Sequence, residues 1–484
     1  MISLVAILGW LFFGTVVGAV GTYLWFQKAR FFTVAPSRPD KILLFPLIHN
    51  HFLPNPIGSI SISTRKFPFR VRADLQRAMD RLFGDKVTVK HFCGLAKDYA
   101  REGLTLSDCI VPDYHNPVVS VPPQYEELNI GAEESVRCLK NGIWFLEDGP
   151  NRYVVLLSES QRYGCATGIQ FEIGTVNNSE GTRLVQEFFR HLEESVLKAE
   201  SYRGKILSLE MAEHSYSGES TGIQVHKLRT VEKEQVILPR ETLELLERNV
   251  IGFVNKRSEL SRFRQSTRKG ILFYGPPGTG KTHTIHYLSR ALPGHTTLLI
   301  TAEQMGLLAE YMTLARLLQP SIVVIEDADL IARNRNDMDT CEEILLNKLL
   351  NEMDGLKEDA DILFILTTNR PEALEVALSA RPGRIDQAIE FPHPNPEGRA
   401  KLIRLYSTGI EVSEEVVAEI VQRTDRVSAA FIKELMRRSV QFHLENSNNG
   451  RLESRDYQAA LDEMLFSGGS LNLKLLGGPE QSAR

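Results

Sequence analysis

Five cysteines in 484 residues, an odd number with no C-x-x-C pair among them, leave no basis for a disulfide framework or a cysteine-built zinc site, and they fit a reducing compartment. His-Glu-x-x-His occurs nowhere, which removes a zinc protease. No basic, aromatic-bearing patch stands out, and 56 Lys+Arg against 61 Asp+Glu give a net charge of −5, so no nucleic-acid partner is expected. No internal repeat is present. Apolar residues at 43% and charged residues at 24% describe a globular chain, long enough for two or three domains. The remaining scarcity is local: the first 26 residues carry no charge at all.

That opening, Ile2 to Phe26, is long enough to span a bilayer as a helix with some tilt. Tyr23 and Trp25 suit an interfacial aromatic anchor, and Lys28 and Arg30 follow. A cleaved signal peptide would need a basic residue ahead of the apolar run and a small-x-small site after it; the sequence has neither. The expectation is a retained single-pass helix over 1–26. Its Lys28/Arg30 side would be cytosolic, or matrix-facing in an organelle, with the body of the chain on that side. Gly14, Gly18 and Thr22 share one helix face, which suits close helix packing but equally reflects the ordinary abundance of glycine in membrane helices.

Residues 27–58 contain Pro36, Pro39, Pro46, Pro54 and Pro56 and read as a juxtamembrane linker. Residues 59–230 read as a mixed α/β domain for substrate or partner recognition. Helix periodicity is seen at Val71–Phe83 and Gly181–Ser201, and a hairpin is expected through Asp148-Gly149-Pro150-Asn151. From there apolar strands alternate with helices over 231–395, the pattern of a parallel α/β core. A helical stretch follows over 396–466, and then a glycine-bearing tail over 467–484.

The strongest signal is Gly275-Pro276-Pro277-Gly278-Thr279-Gly280-Lys281-Thr282, preceded by the apolar strand Gly270–Tyr274 and followed by a helix-competent stretch from His283. Strand, glycine loop and helix in that order make a phosphate-binding loop. Its glycines let backbone N–H groups turn toward phosphates, and the helix dipole favours the negative charge. Lys281 would neutralise β/γ oxygens, Thr282 would ligate Mg²⁺, and the adjoining His283 belongs to the same nucleotide contact set. The second element, Ser321-Ile-Val-Val-Ile-Glu326-Asp327-Ala-Asp329, ends an apolar strand in acids suited to Mg²⁺ coordination and to activating water.

Together with Asn347–Gly355, Leu366-Thr-Thr-Asn369-Arg-Pro and Ala380-Arg381-Pro-Gly-Arg384-Ile-Asp386, these motifs make the chain resemble the AAA-family ATPases, the ring motors of the P-loop class. The resemblance implies a P-loop core of parallel strands flanked by helices, a helical lid, ATP and Mg²⁺ as ligands, and a homo-oligomeric ring, a hexamer by analogy. It also implies that Asn369 orients the attacking water with the acids, and that Arg381 and Arg384 reach the nucleotide of a neighbouring subunit. A permanently charged planar guanidinium suits the charge that develops on a transferring phosphoryl group. Val250–Phe253 falls where the family contacts adenine.

Two features depart from the family. The acids come as Glu326-Asp327 rather than the family's usual Asp-Glu, and this Glu-Asp order resembles that of the mitochondrial membrane-anchored AAA translocase that inserts the Rieske iron–sulfur protein. Either Glu326 takes the magnesium side and Asp327 is the catalytic carboxylate, or Asp327 takes that side and Ala328 occupies the catalytic position. Asp329-Leu-Ile-Ala332 supports the first register. The pore-loop stretch, Glu303-Gln304-Met305-Gly306-Leu307, lacks the aromatic residue that the family uses to grip a polypeptide. Met305 could serve as a soft grip or be an ordinary packed methionine. No second sensor arginine is evident after Val427-Ser-Ala-Ala-Phe431. The expected function is a membrane-anchored AAA ATPase that remodels, extracts or translocates a protein substrate. The alternative is an ATP-binding ring scaffold that hydrolyses little.

Overall fold

The computed structural model describes residues 42–85, 87–98, 103–111, 115–162, 165–211, 220–330, 341–356, 360–374, 383–446 and 450–467. The apolar run at 1–26 and Arg381 lie outside the described residues. No helix among the described residues is long and apolar enough to cross a membrane. The chain divides into two compact units. One comprises residues up to Lys66, Leu82–Tyr125 and Leu139–Phe189; the other comprises Phe67–Arg81, Glu126–Cys138 and everything from Arg190 onward.

The first unit contains most of a seven-stranded sheet of β1 (Ile60–Pro68), β2 (Thr88–Ala96), β3 (Val119–Val121), β4 (Gln124–Leu128), β5 (Val136–Asp148), β6 (Asn151–Arg162) and β7 (Cys165–Val176). Its order is β1-β7-β6-β5-β2-β3, with β4 on β5. The expected hairpin joins β5 to β6, with Asp148 opposite Asn151 and Gly149 at φ 57°. Helix α1 (Leu44–Phe52) buries Leu44, Ile48 and Phe52 against Ile143, Phe145, Val154 and Leu156, a contact set by its three-to-four-residue apolar spacing. Trp144 stacks on Phe92 with ring centroids 4.8 Å apart. Cys93 and Cys109 are buried in this unit as free thiols.

The second unit carries the nucleotide motifs. Its seven-stranded sheet has the order β14-β10-β13-β12-β11-β8-β9, where β8 is Ile206–Met211, β9 Ser220–His226, β10 Lys269–Tyr274, β11 Thr296–Ile300, β12 Ser321–Ile325, β13 Ile362–Thr368 and β14 Gln387–Glu390. The strands from β14 to β11 run parallel, and β12 and β13 are buried at every position. Continuous apolar runs such as Ile322-Val-Val-Ile and Ile362-Leu-Phe-Ile-Leu are what a sheet covered on both faces requires. Along β13 the side chains alternate between two cores. Ile362, Phe364 and Leu366 pack on one face with Tyr311, Met312 and Leu349, while Leu363 and Ile365 pack on the other with Ile285, Leu288 and Val250. The covering helices include α2 (Lys281–Ala291) on the second face, and α3 (Leu308–Leu317) and α4 (Cys341–Asp354) on the first.

Strands β8 and β9, counted with residues 59–230 on sequence, extend this sheet instead. Leu207 pairs with Leu298 of β11, and β9 runs antiparallel to β8. The seven-stranded sheet therefore takes in strands that lie ahead of residue 231. Helices α5 (Pro396–Tyr406), α6 (Glu414–Arg423), α7 (Ala429–Asn446) and α8 (Ser454–Asp462) form the lid around a core of their own that contains Phe431, Leu435, Met436 and Tyr457.

Candidate functional site

Strand β10 delivers the chain to Gly275 and α2 carries it away from Lys281, so the loop between them lies at the carboxyl ends of the parallel strands. That is where open α/β sheets bind ligands. Gly275 adopts φ 143°, and a Cβ there would sit 2.3 Å from the Phe391 carbonyl oxygen. Gly278 adopts φ 74°, and a Cβ there would approach the Ala430 methyl to 2.8 Å. Both positions admit glycine alone. The second contact matters because Ala430 opens α7: its N–H donates to the Gly278 carbonyl at 3.1 Å, seating the lid on the phosphate loop. The Ser428 hydroxyl caps that helix by accepting from Phe431 N–H at 3.1 Å.

Lys281 is 7% exposed, and its Nζ donates to the carbonyl oxygens of Gly275 at 2.7 Å and Pro276 at 2.9 Å. Burial pulls its pKa down to about 8, against the opposing pull of the Asp327 and Asp329 carboxylates. The acids at the end of β12 then diverge. Glu326 faces the loop, its Oε1 accepting from the Thr282 hydroxyl at 3.1 Å. Asp327, at φ 50°, faces the end of β13, where its Oδ1 accepts from Asn369 Nδ2 at 3.2 Å. A hydroxyl beside a carboxylate is a hard oxygen donor pair, and Thr282 and Glu326 fit Mg²⁺ on that chemistry. Thus Lys281, Thr282, Glu326, Asp327 and Asn369 are gathered at one end of three adjacent strands.

A cavity of about 360 Å³ opens over them, lined by the phosphate loop, His283, Asp327 and Asn369, and by Leu402, Tyr406 and Lys433 of the lid. Gln235–Leu238 forms a further wall. This corrects the assignment of the base contact to Val250–Phe253. Val250 is wholly buried in the core under α2, and none of the four residues lines the cavity. The wall is tied to α2 by His283, whose Nε2–H donates to the Gln235 carbonyl at 3.2 Å, and by the Arg290–Glu232 ion pair. Burial lowers the His283 pKa, which keeps the ring neutral. Gln235–Leu238 carries no motif of its own, and only its position before the first helix of the core could have marked it. Lys433 supplies a lid cation where the sequence shows no arginine.

Arg384 stands away from this cluster. Its Nε donates to Asp354 Oδ2 at 3.0 Å, and a second guanidinium nitrogen bonds the same carboxylate oxygen. Asp386, two residues on, exchanges bonds with Gly270 at the start of β10, whereas the phosphate loop begins at the other end of that strand. Five extended residues, roughly 16 Å, separate Gly270 from Gly275. Arg384 is therefore at the wrong end of its own sheet to reach its own phosphate loop. At the pore-loop position, Met305 is wholly buried in the core. Gln304 Nε2 donates to the Leu209 carbonyl of β8 at 2.9 Å and its Oε1 accepts from Tyr311 OH at 3.1 Å. Of the two readings of Met305, the packed methionine is the one realised.

Residues 271–393 match the model of the family described as ATPase family associated with various cellular activities (AAA). The chain is 30% identical over 262 residues to a proteasome-activating nucleotidase of Methanothermobacter thermautotrophicus, covering 51% of this chain and 62% of that protein. It is 32% identical over 225 residues to a 26S proteasome regulatory subunit 8 homolog of Schizosaccharomyces pombe, covering 43% and 54% respectively. With an ATP-dependent zinc metalloprotease FtsH 2 of a Thermoanaerobacter species it shares 29% over 230 residues, 45% of this chain and 44% of that protein. The chain thus spans about three-fifths or less of the length of these relatives.

Proposed function

We propose that this chain is a ring-forming ATP hydrolase that uses an anchor at residues 1–26 to remodel, extract or translocate a protein substrate at a membrane. The observation that carries the hydrolase reading is the divergence of the two acids: Glu326 turns to Thr282 and Asp327 turns to Asn369, on either side of Lys281. That geometry favours the register in which Glu326 serves the metal and Asp327 the water. Thr282 and Glu326 would hold Mg²⁺, which would supply charge neutralisation to the bound phosphates. Lys281 adds a buried cation to the same oxygens, where low dielectric strengthens the attraction. Asp327 accepts the proton of the attacking water while Asn369 Nδ2 holds that carboxylate in orientation. Phosphate–anhydride cleavage then releases ADP and inorganic phosphate.

Arg384 completes the site from a neighbouring subunit in this reading. Its place at the far end of the sheet supports action in trans, and Asp354 holds its guanidinium there. The Glu-Asp order, the charge-free opening and the basic residues Lys28 and Arg30 support a membrane-anchored translocase of the Rieske-protein type, with the ATPase on the cytosolic or matrix side. The first unit, with its broad antiparallel sheet, is the natural recognition module. The burial of Met305 supports a motor that does not grip an extended chain at that loop.

Phosphate release by the full-length chain at saturating Mg·ATP tests the reading against its Lys281→Ala variant. Turnover in the wild type and none in the variant is the expected result. Release absent from both would leave only an ATP-binding scaffold.

A further inference from the structure

The turn Asp327-Ala328-Asp329 is stitched to the end of β13 through its two acids. Asp327 N–H donates to the Thr367 hydroxyl at 3.1 Å. Asp329 Oδ1 accepts twice, from the Thr368 hydroxyl at 2.8 Å and from Asn369 N–H at 3.2 Å. Asn369 Nδ2 then reaches back to Asp327 Oδ1 at 3.2 Å. Thr367, Thr368 and Asn369, at the end of β13 and just past it, are thereby fixed to Asp327 and Asp329 beyond β12. The left-handed conformation of Asp327 makes the closure possible, since it turns the chain so that Asp327 and Asp329 both face β13.

Within this lattice Asp329 is 4% exposed and Thr368 is wholly buried. A carboxylate at such a depth is stabilised only by donors, and both that it receives come from the residues that carry the Asn369 amide group. Ala328, between the acids, is buried and offers no polar atom beyond its backbone. The Thr368 hydroxyl, having donated to Asp329, accepts from Arg370 N–H at 2.9 Å, so the carboxylate also orders the backbone on the far side of Asn369.

We propose that Asp329 is a positioning residue for ATP hydrolysis: by fixing Thr368 and the Asn369 backbone, it sets the Asn369 side chain within reach of Asp327. The proposal rests on the hydrolase reading above and adds a third acid to it, one that does not line the cavity. This positioning role is played by Oδ1 as an acceptor, separately from the pull of the carboxylate's charge on Lys281. Asparagine, which keeps Oδ1, should therefore serve nearly as well, and alanine should not. Because Thr282 and Glu326 are held independently of this lattice, nucleotide affinity should survive the loss.

The test uses the full-length chain, with phosphate release for kcat and KM and a fluorescent ATP analogue for Kd. Asp329→Ala is expected to lower kcat by ~10- to 100-fold, the scale of a slightly misplaced group, while Kd stays within about threefold. Asp329→Asn is expected to recover kcat to within about threefold of wild type, and Asp329→Ala to add nothing in an Asn369→Ala background. Wild-type kcat in Asp329→Ala, an Asp329→Asn variant as slow as the alanine, or losses that multiply with Asn369→Ala would each overturn the proposal. Should the alanine variant not fold, Thr368→Val removes the same hydroxyl bond and is expected to cut kcat at unchanged Kd; unchanged kcat would count against it. A wild-type chain without phosphate release would sink the hydrolase reading instead, which keeps the two failures distinguishable.

Discussion

Raising pH should weaken nucleotide binding within a window set by Lys281. Its amine lies inside the phosphate loop at 7% exposure, held by two carbonyl oxygens, and burial brings its pKa down to about 8. Polyphosphate binding requires the charged form and raises the pKa again, so the proton lost from the free chain must be regained on binding. With half the lysine neutral near pH 8, the free chain is ~90% protonated at pH 7 and ~10% at pH 9, a tenfold change in available sites worth ~1.4 kcal/mol. The Kd for Mg·ATP should therefore be nearly flat below pH 7, double near pH 8 and rise about tenfold by pH 9. Calorimetry in buffers of different ionisation enthalpy should show an uptake of ~0.5 proton per nucleotide at pH 8, absent in Lys281→Met. The same depression makes the nucleotide-free fold gain stability as pH rises from about 8 toward 10.5, since there the unfolded chain binds the proton and the folded chain does not. A Kd constant from pH 7 to 9 without proton uptake would refute the reasoning.

Other expected outcomes follow from single contacts. Arg384→Ala should bind ATP with unchanged affinity yet lose hydrolysis, and mixing it with Lys281→Ala subunits should restore some phosphate release, because each supplies what the other's interface lacks. Glu326→Gln should raise the Mg²⁺ concentration needed for half-maximal nucleotide binding, read by metal titration, since one oxygen of the Thr282–Glu326 pair loses its charge. Phe364→Ala, at 1% exposure in the central strand, should cost ~3–5 kcal/mol of stability in denaturant unfolding. His283→Ala should raise the KM for ATP at unchanged kcat by freeing the Gln235 wall, and His283→Gln should reverse much of that.

Much of the nucleotide site was legible because its determinants are local. A phosphate loop must be glycine-rich between a strand and a helix, and β12 and β13 announce themselves as unbroken apolar runs that end in acids or in Asn369. What sequence reasoning missed depends on tertiary docking. Gln235–Leu238 carries ordinary apolar chemistry and becomes a cavity wall only because His283 and Arg290 hold it against α2. Strand β8 reads as part of the preceding domain until Leu207 is seen paired with Leu298, across a separation that no periodicity reports. Met305 was ambiguous for the same reason, since its burial is decided by the β8 strand bonded to Gln304. Asp329 was recognised as the continuation of a motif, but its bonds to Thr368 and Asn369 join segments some forty residues apart.

The division of labour between the two acids is tested most directly by the nucleotide recovered from Asp327→Asn after incubation with Mg·ATP. The variant is expected to bind as tightly as wild type and to retain intact ATP, while the wild-type chain yields ADP and free phosphate. An Asp327→Asn chain that produced ADP at the wild-type rate would remove Asp327 from the chemistry and, with it, the register in which Glu326 serves the metal.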